Sequence, residues 1–396
     1  MTEWKECKIA DLGTVIGGAT PSTKDPANYE NGTIAWITPK DLSTFTGRYI
    51  KRGERNITEI GLKSCSTQLL PANSVLFSSR APIGYIAIAA NAVCTNQGFK
   101  SVIPNDDTDP LFLYYLLKYN KDTIESMGSG TTFREVSGNT MKGISVRVPK
   151  DISVQKRISA VLGMIDEKIA INRAINDNLE QQVLAMYRNK FIDTTNAERT
   201  ICRADEFFDI SIGKTPPRKE SQWFSNNPED VTWVSISDLG SCGLYIRKSS
   251  ERLTQEAVKR FNIKVVPDNT VLLSFKLTVG RIAIANGEMT TNEAIAHFKT
   301  DCKSINEYLY CYLRCFNFET MGSTSSIATA VNSKIIKGMP FVVPTNYELK
   351  EFHDIAAPMF AQIKANQNEI YNLTTLRDTL LPKLMSGELD VSAVEL

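Results

Sequence analysis

From Ile158 onward, apolar residues recur at alternating steps of four and three: Ile158, Leu162, Ile165, Ile169, then Asn172 and Asn176, then Leu179, Val183 and Met186. That spacing predicts one helix over residues 153–191 with a thin apolar stripe, the pattern of a coiled-coil seam rather than a broad core-facing surface. The stretch has no proline, and its only glycine is Gly163. At about 1.5 Å per residue it would run roughly 55–60 Å. A helix so long with so narrow a stripe needs a partner helix. The same chain supplies one: Phe352, Ala356, Met359, Ile363, Asn366, Ile370, Leu373, Leu380 and Leu384 repeat the spacing. Asn172 and Asn366 fall at equivalent steps, where a polar seam residue fixes register at some expense of stability.

The remainder of the chain is one unit written twice. A shift of about 195 residues lays Gly18-Ala19-Thr20-Pro21 on Gly213-Lys214-Thr215-Pro216, and Trp36 on Trp233. It also lays LLPANSVLFSSRAPIGYIAIA (69–89) on VVPDNTVLLSFKLTVGRIAIA (265–285). Thr95-Asn96, Leu113-Tyr114 and Met127-Gly128-Ser129 recur as Thr291-Asn292, Leu309-Tyr310 and Met321-Gly322-Ser323. Within each unit, residues 74–77 and 85–90 read as strands bounded by Pro, Asn and Gly, and 111–119 as a helix packed on their sheet. Residues 128–138 and 322–332 read as surface loops. The expected architecture is α+β, with heads at 1–150 and 195–346, a long helix at 151–194, and a second helix with a tail at 347–396. If the helices pack antiparallel, the heads are related by an approximate two-fold axis and lie about 35–55 Å apart, which suits a two-part target.

Composition narrows the chemistry. With a net charge of +1, no field of the whole molecule draws the chain to nucleic acid or membrane, so DNA binding needs locally placed cations. The N-terminus MTEWKECKIADLG has no apolar core, and no apolar run approaches the roughly 20 residues of a membrane span. The eight cysteines form no framework, which predicts reduced thiols and a cytoplasmic protein. Cys311 and Cys315 read as small buried hydrophobes. The two histidines, His297 and His353, are too far apart in the pattern to pair on a metal, and His353 adjoins a seam position. An adenine methyltransferase would need an Asn/Asp-Pro-Pro-aromatic tetrad; Asn227-Pro228-Glu229-Asp230 lacks the second proline and the aromatic, and there is no G-x-G-x-x-G or Walker loop. Asp166-Glu167-Lys168 reads as a solvated helix face rather than part of a nuclease site.

Several stretches carry a resemblance: 376–391 (LRDTLLPKLMSGELDV), the Gly18-to-Ser22 entry, the VLFSSRAPIGYIAIA strand pair, and the passage from Val148-Pro149 into Gln155-Lys156-Arg157-Ile158. On these residues, and over its whole length, the chain resembles the specificity (S) subunit of type I restriction-modification enzymes. That family often has Pro-Pro and Glu-Gln at the exit from each head; here Val154-Gln155 and Glu348-Leu349 stand there. The resemblance implies two target-recognition domains separated by two long helices in an antiparallel coiled coil. It implies a non-catalytic reader of double-stranded DNA, each head taking one half of an interrupted site and the helices acting as a ruler. It further implies two modification subunits carrying S-adenosylmethionine, and restriction subunits with ATP and Mg, with no cofactor in this chain.

For DNA contact the candidates are cations on turns of the heads, where phosphate contacts supply affinity and base-edge contacts supply choice. In the first head these are Lys24, Lys51, Arg52, Arg80 and Arg134, the last beside Thr131-Thr132-Phe133. In the second they are Lys214, Arg218, Lys219, Arg247, Lys248 and Lys276, with Arg80 and Lys276 at equivalent turns. Trp36 and Trp233 lie in alternating apolar strands and read as core anchors rather than base platforms. A competing reading is a two-headed scaffold for proteins or glycans. A self-sufficient modification enzyme is disfavoured by the missing tetrad.

Overall fold

The computed structural model describes residues 3–130, 134–193, 199–321 and 331–391. They form two compact units, one of Met1–Ala170 with Tyr371–Leu396, the other of Ile171–Ile370.

The first unit is organised on a five-stranded sheet in the order Gly13–Gly17, Lys100–Pro104, Val75–Ser79, Ile83–Ala89, Tyr49–Ile50. The residues expected to form its central hairpin do so; Asn73 (φ 69°) turns the chain into its first strand and Gly84 (φ 97°) lies in its second, both in left-handed geometry that branched residues resist. Both sheet faces are covered, so the side chains sort by period two. Val75, Phe77 and Ile88 face a core completed by Phe112, Leu113, Leu116 and Leu117 of the helix Pro110–Tyr119. Leu76, Ala87 and Ala89 face a second core with Ile37, Leu42 and Val93. Asp109 caps the helix by accepting from Phe112 N at 2.8 Å. A three-stranded sheet (Arg55–Ile57, Ile34–Ile37, Cys94–Thr95) and the pair Trp4–Lys8 with Ser145–Pro149 complete the strands.

The second unit repeats the plan. Its five-stranded sheet runs Asp209–Ile212, Ile295–Lys299, Val271–Ser274, Ile282–Ala285, Tyr245–Ile246, the same order with the same parallel edge pairing. Val271 and Leu273 face the helix Asn306–Cys315, while Leu272, Ala283 and Ala285 face the opposite core. Asn269 (φ 65°) and Gly280 (φ 90°) stand where Asn73 and Gly84 do. The smaller sheet has four strands rather than three, having gained Phe224–Ser225.

Two long helices, Ile152–Tyr187 and Asn346–Ser386, contribute to both units. The first begins after Pro149, with Asp151 accepting from Ser153 N and Oγ; its last turn widens into a π-helical turn over Arg188–Ile192. The second opens on a capping box, Thr345 with Glu348, and closes at Gly387 (φ 79°), where a Cβ would collide with the Trp4 ring. In the second unit the helices run antiparallel. Asn172 Nδ2 donates to Glu369 Oε2 (2.7 Å), Asn366 Nδ2 to Asn176 Oδ1 (2.9 Å), and the Tyr187 and Phe191 rings meet Phe352. In the first unit Arg377 Nη1 donates to Asp166 Oδ1 at 2.7 Å, again antiparallel. The buried face is wider than a seam. Val154, Leu184 and Tyr187 join the seam residues because each helix segment packs on a head core as well as on its partner.

Asp166 corrects the expected solvated triplet. Glu167 and Lys168 are exposed, but Asp166 also accepts from Tyr115 Oη (2.6 Å), tying the head to both helices. Burial opposes its charge, yet the hydrogen bonds from Tyr115 and Arg377 outweigh that and hold its carboxyl below the usual range.

Candidate nucleic-acid interface

A turn built alike in both units carries or leads into four of the candidate cations, Lys24 in the first and Lys214, Arg218 and Lys219 in the second. Gly18 and Gly213 are required by close approach: a Cβ on Gly18 would lie 2.1 Å from Asn96 O, and one on Gly213 2.2 Å from Asn292 O. Behind them Ala19 N donates to Thr95 O (3.0 Å) and Lys214 N to Thr291 O (2.9 Å). Trp36 Nε1 donates to Ala19 O (3.1 Å) and Trp233 Nε1 to Lys214 O (3.2 Å). Both indoles are buried and act as clamps on the Gly-x-Thr-Pro segment, as core anchors should. Thr20 Oγ1 then donates to Gln97, and Thr215 Oγ1 to Glu293.

The predicted cations occupy varied settings. Lys24, Lys51, Arg52 and Arg134 are exposed; Thr131-Thr132-Phe133 lies outside the described residues. Arg80 is half-buried, 3.3 Å from Glu135, which Lys100 also approaches at 3.3 Å. Its equivalent, Lys276, is exposed on a hairpin tip beside Leu277, which is 97% accessible at φ 62°. Lys214 Nζ donates to Phe261 O (2.7 Å), and Arg247 Nη1 to Asn368 Oδ1 (3.1 Å); Lys219 and Lys248 are exposed. Arg218 is the most constrained. Its Nη1 reaches both Glu251 oxygens (2.8 and 2.9 Å), and its guanidinium covers the Phe224 and Trp233 rings at 4.4 and 4.5 Å.

Sequence reasoning passed over Arg55. It pairs with Trp36 across the small sheet as Glu251 pairs with Trp233, so one unit has a cation where the other has an anion holding a cation. The signal was the aligned position itself, but the segment between Lys51 and Lys63 shares too few identities to draw attention to it. Elsewhere, His297 is fully buried between Ser211 Oγ (3.1 Å) and Thr291 Oγ1 (2.7 Å). His353 Nδ1 lies 3.0 Å from Glu307. Cys311 is buried, and burial pushes its thiol well up in pKa. Among the described residues no group of three His, Cys, Asp or Glu is placed to hold a metal, and no helix is long and apolar enough to cross a membrane.

The family model described as the type I restriction modification DNA specificity domain matches residues 1–181 and again 198–374. The sequence is 34% identical to the type I restriction enzyme MjaIX specificity subunit of Methanocaldococcus jannaschii, over 98% of this chain and 94% of that one. It is 21% identical to the HindI specificity subunit of Haemophilus influenzae, over 98% of this chain and 100% of that one. Among solved structures, the fold is similar to the S subunit of a type I restriction-modification system from M. genitalium, at a TM-score of 0.58 and 16% identity, covering 97% of this chain and 96% of that one.

Proposed function

Because the chain belongs to the type I restriction-modification DNA specificity subunits, we propose that each of its units reads one half of a bipartite duplex site. The chain is the DNA-recognition component of such a system and is not an enzyme; catalysis lies in partner subunits. The observation that carries the half-site reading is a duplicated scaffold with different exposed residues. Both units share sheet order, Trp clamp and Gly-x-Thr-Pro turn, yet Arg80-Ala81-Pro82 faces Lys276-Leu277-Thr278, and Arg55 faces Glu251, at equivalent places. One backbone with two surfaces suits two different half-sites.

In this reading Lys24, Lys51, Arg52, Arg80 and Arg134 serve the first half-site, and Lys214, Arg218, Lys219, Arg247, Lys248 and Lys276 the second. Arg80 and Arg218, held by Glu135 and Glu251, are pre-oriented for base edges; the more mobile lysines suit phosphates. The recognition domains are the 1–150 and 195–346 segments, and the helices of 151–194 and 347–396 govern the unread gap and dock two methyltransferase subunits. S-adenosylmethionine would be carried by those subunits, and ATP with Mg by restriction subunits. A cytoplasmic location fits DNA as the target.

The test is co-expression with the methyltransferase subunit and mapping of methylated adenines by single-molecule sequencing. Replacing residues 213–344 by the matching segment of another specificity subunit should change one half of the mapped motif. A change in both halves would refute the division of labour. The scaffold alternative, binding proteins or glycans without DNA selectivity, would instead give an unmethylated genome and salt-insensitive association.

A further inference from the structure

The same turn that clamps Gly18 and Gly213 presents one side chain per unit outward, and the two differ. After strand Cys94–Thr95 comes Asn96, whose N donates to Ile37 O (3.0 Å) and whose Oδ1 accepts from Gly98 N (2.9 Å). After strand Thr290–Thr291 comes Asn292, whose N donates to Val234 O (3.0 Å) and whose Oδ1 accepts from Ala294 N (3.1 Å). Each asparagine folds the backbone over itself, leaving the residue between as an exposed tip: Gln97 in one unit, Glu293 in the other. Each tip accepts a hydrogen bond from the threonine of the facing Gly-x-Thr-Pro turn, Thr20 or Thr215. The side chain is therefore aimed by a rigid frame rather than left to wave in solvent.

The terminal groups differ in what they can recognise. A carboxamide offers a donor and an acceptor side by side, which matches N7 and N6 of adenine in the major groove; a carboxylate only accepts, which matches the N4 amino group of cytosine. With one Glu293 oxygen engaged by Thr215, the other remains to accept from a base. Partial burial works against its charge, but the Thr215 hydroxyl, its own backbone, Lys276 and Arg218 prevail and keep its pKa below the ordinary carboxylate range. At neutral pH Glu293 is thus an acceptor only, which also repels guanine and thymine edges.

We propose that Gln97 and Glu293 are equivalent specificity-determining side chains of the two units, Gln97 selecting adenine and Glu293 cytosine at the matching step of each half-site. The assignment rests on the half-site reading above and adds to it the chemistry of one base in each half.

The experiment maps adenine methylation by the full complex of this chain with its methyltransferase subunit on a randomised duplex library, for wild type, E293Q and Q97E. Both substitutions keep side-chain length and the threonine hydrogen bond. E293Q is expected to turn cytosine preference into adenine preference at one position of the second half-site, by about tenfold or more, leaving the first half unchanged. Q97E should do the converse in the first half. If a variant complex methylates nothing, the same library is captured on the immobilised complex and sequenced, so preference is still read. Variants that retain the wild-type preference at every position, or a wild-type second half-site with no G·C pair, overturn the assignment. A wild-type complex with no sequence preference in either half overturns the half-site reading itself.

Discussion

His297 shows how a single buried residue ties the stability of the second unit to pH. It fills the place that Ser101 has in the first unit, where the hydroxyl is buried without a partner among the described residues. Burial, helped by Lys299, drops its pKa from 6.5 to about 4. Because the folded value lies below the unfolded one, the unfolded chain takes up the proton first. The stabilisation is whole above pH 6.5 and drains away as pH falls toward 4, a loss on the order of 3 kcal/mol. Thermal unfolding of the second unit should therefore shift down steeply across that window, and His297→Asn should flatten the dependence. Lys276 makes a different kind of prediction. Given its proposed role as a phosphate contact, replacing it by Ala should weaken duplex binding alike for all sequences and make the log–log salt slope shallower by about one. Residues with a backbone duty were legible in the sequence: Asn73 and Asn269, Gly84 and Gly280 all adopt positive φ, which few other residues tolerate. Arg55 was not, because Trp36 lies beside it only after folding, and its counterpart Glu251 sits in a segment that shares few identities with its own.

At the level of elements, the long helices were the most readable feature and the one whose surroundings were least readable. The four-three spacing marked Ile158, Leu162, Ile169 and Val183, all buried. It could not say that Val154 and Leu184 would be buried too, since heads as well as helices claim those faces. Nor could it separate Asp166 from the exposed Glu167 and Lys168; only the approach of Tyr115 and Arg377 does that. Asp166→Ala would leave the Tyr115 hydroxyl without its acceptor and Arg377 with Asp378 alone in a half-dry site, at a cost of roughly 3 kcal/mol. Chemical denaturation should register it as a lower midpoint of the first unit. The second unit uses other residues for the same task, with Tyr310 Oη donating to Glu180 at 2.7 Å and Arg314 beside it. The D166A change should accordingly leave hydrogen-exchange protection around Tyr310 intact.

For the molecule as a whole, the internal duplication told more than any local propensity, and it told the strand order of both sheets once one was known. What it hid was that the first unit is discontinuous. Leu381, Leu384, Met385 and Val391 belong to the core that contains Ile9, Phe77 and Leu113, and Arg147 Nη1 donates to Ser386 O at 3.2 Å. The similarity of 376–391 to a family ending thus has a physical content: those residues seal a domain begun at the other end of the sequence. Removing 376–391 should strip exchange protection from the Val75–Ser79 strand while the Val271–Ser274 strand keeps its own. The order of synthesis follows from the same closure. A ribosome delivers every residue of the second unit before it delivers the lid of the first, so the unit begun earliest must wait, apolar interior ajar, until the codons for Leu381 to Val391 have been translated.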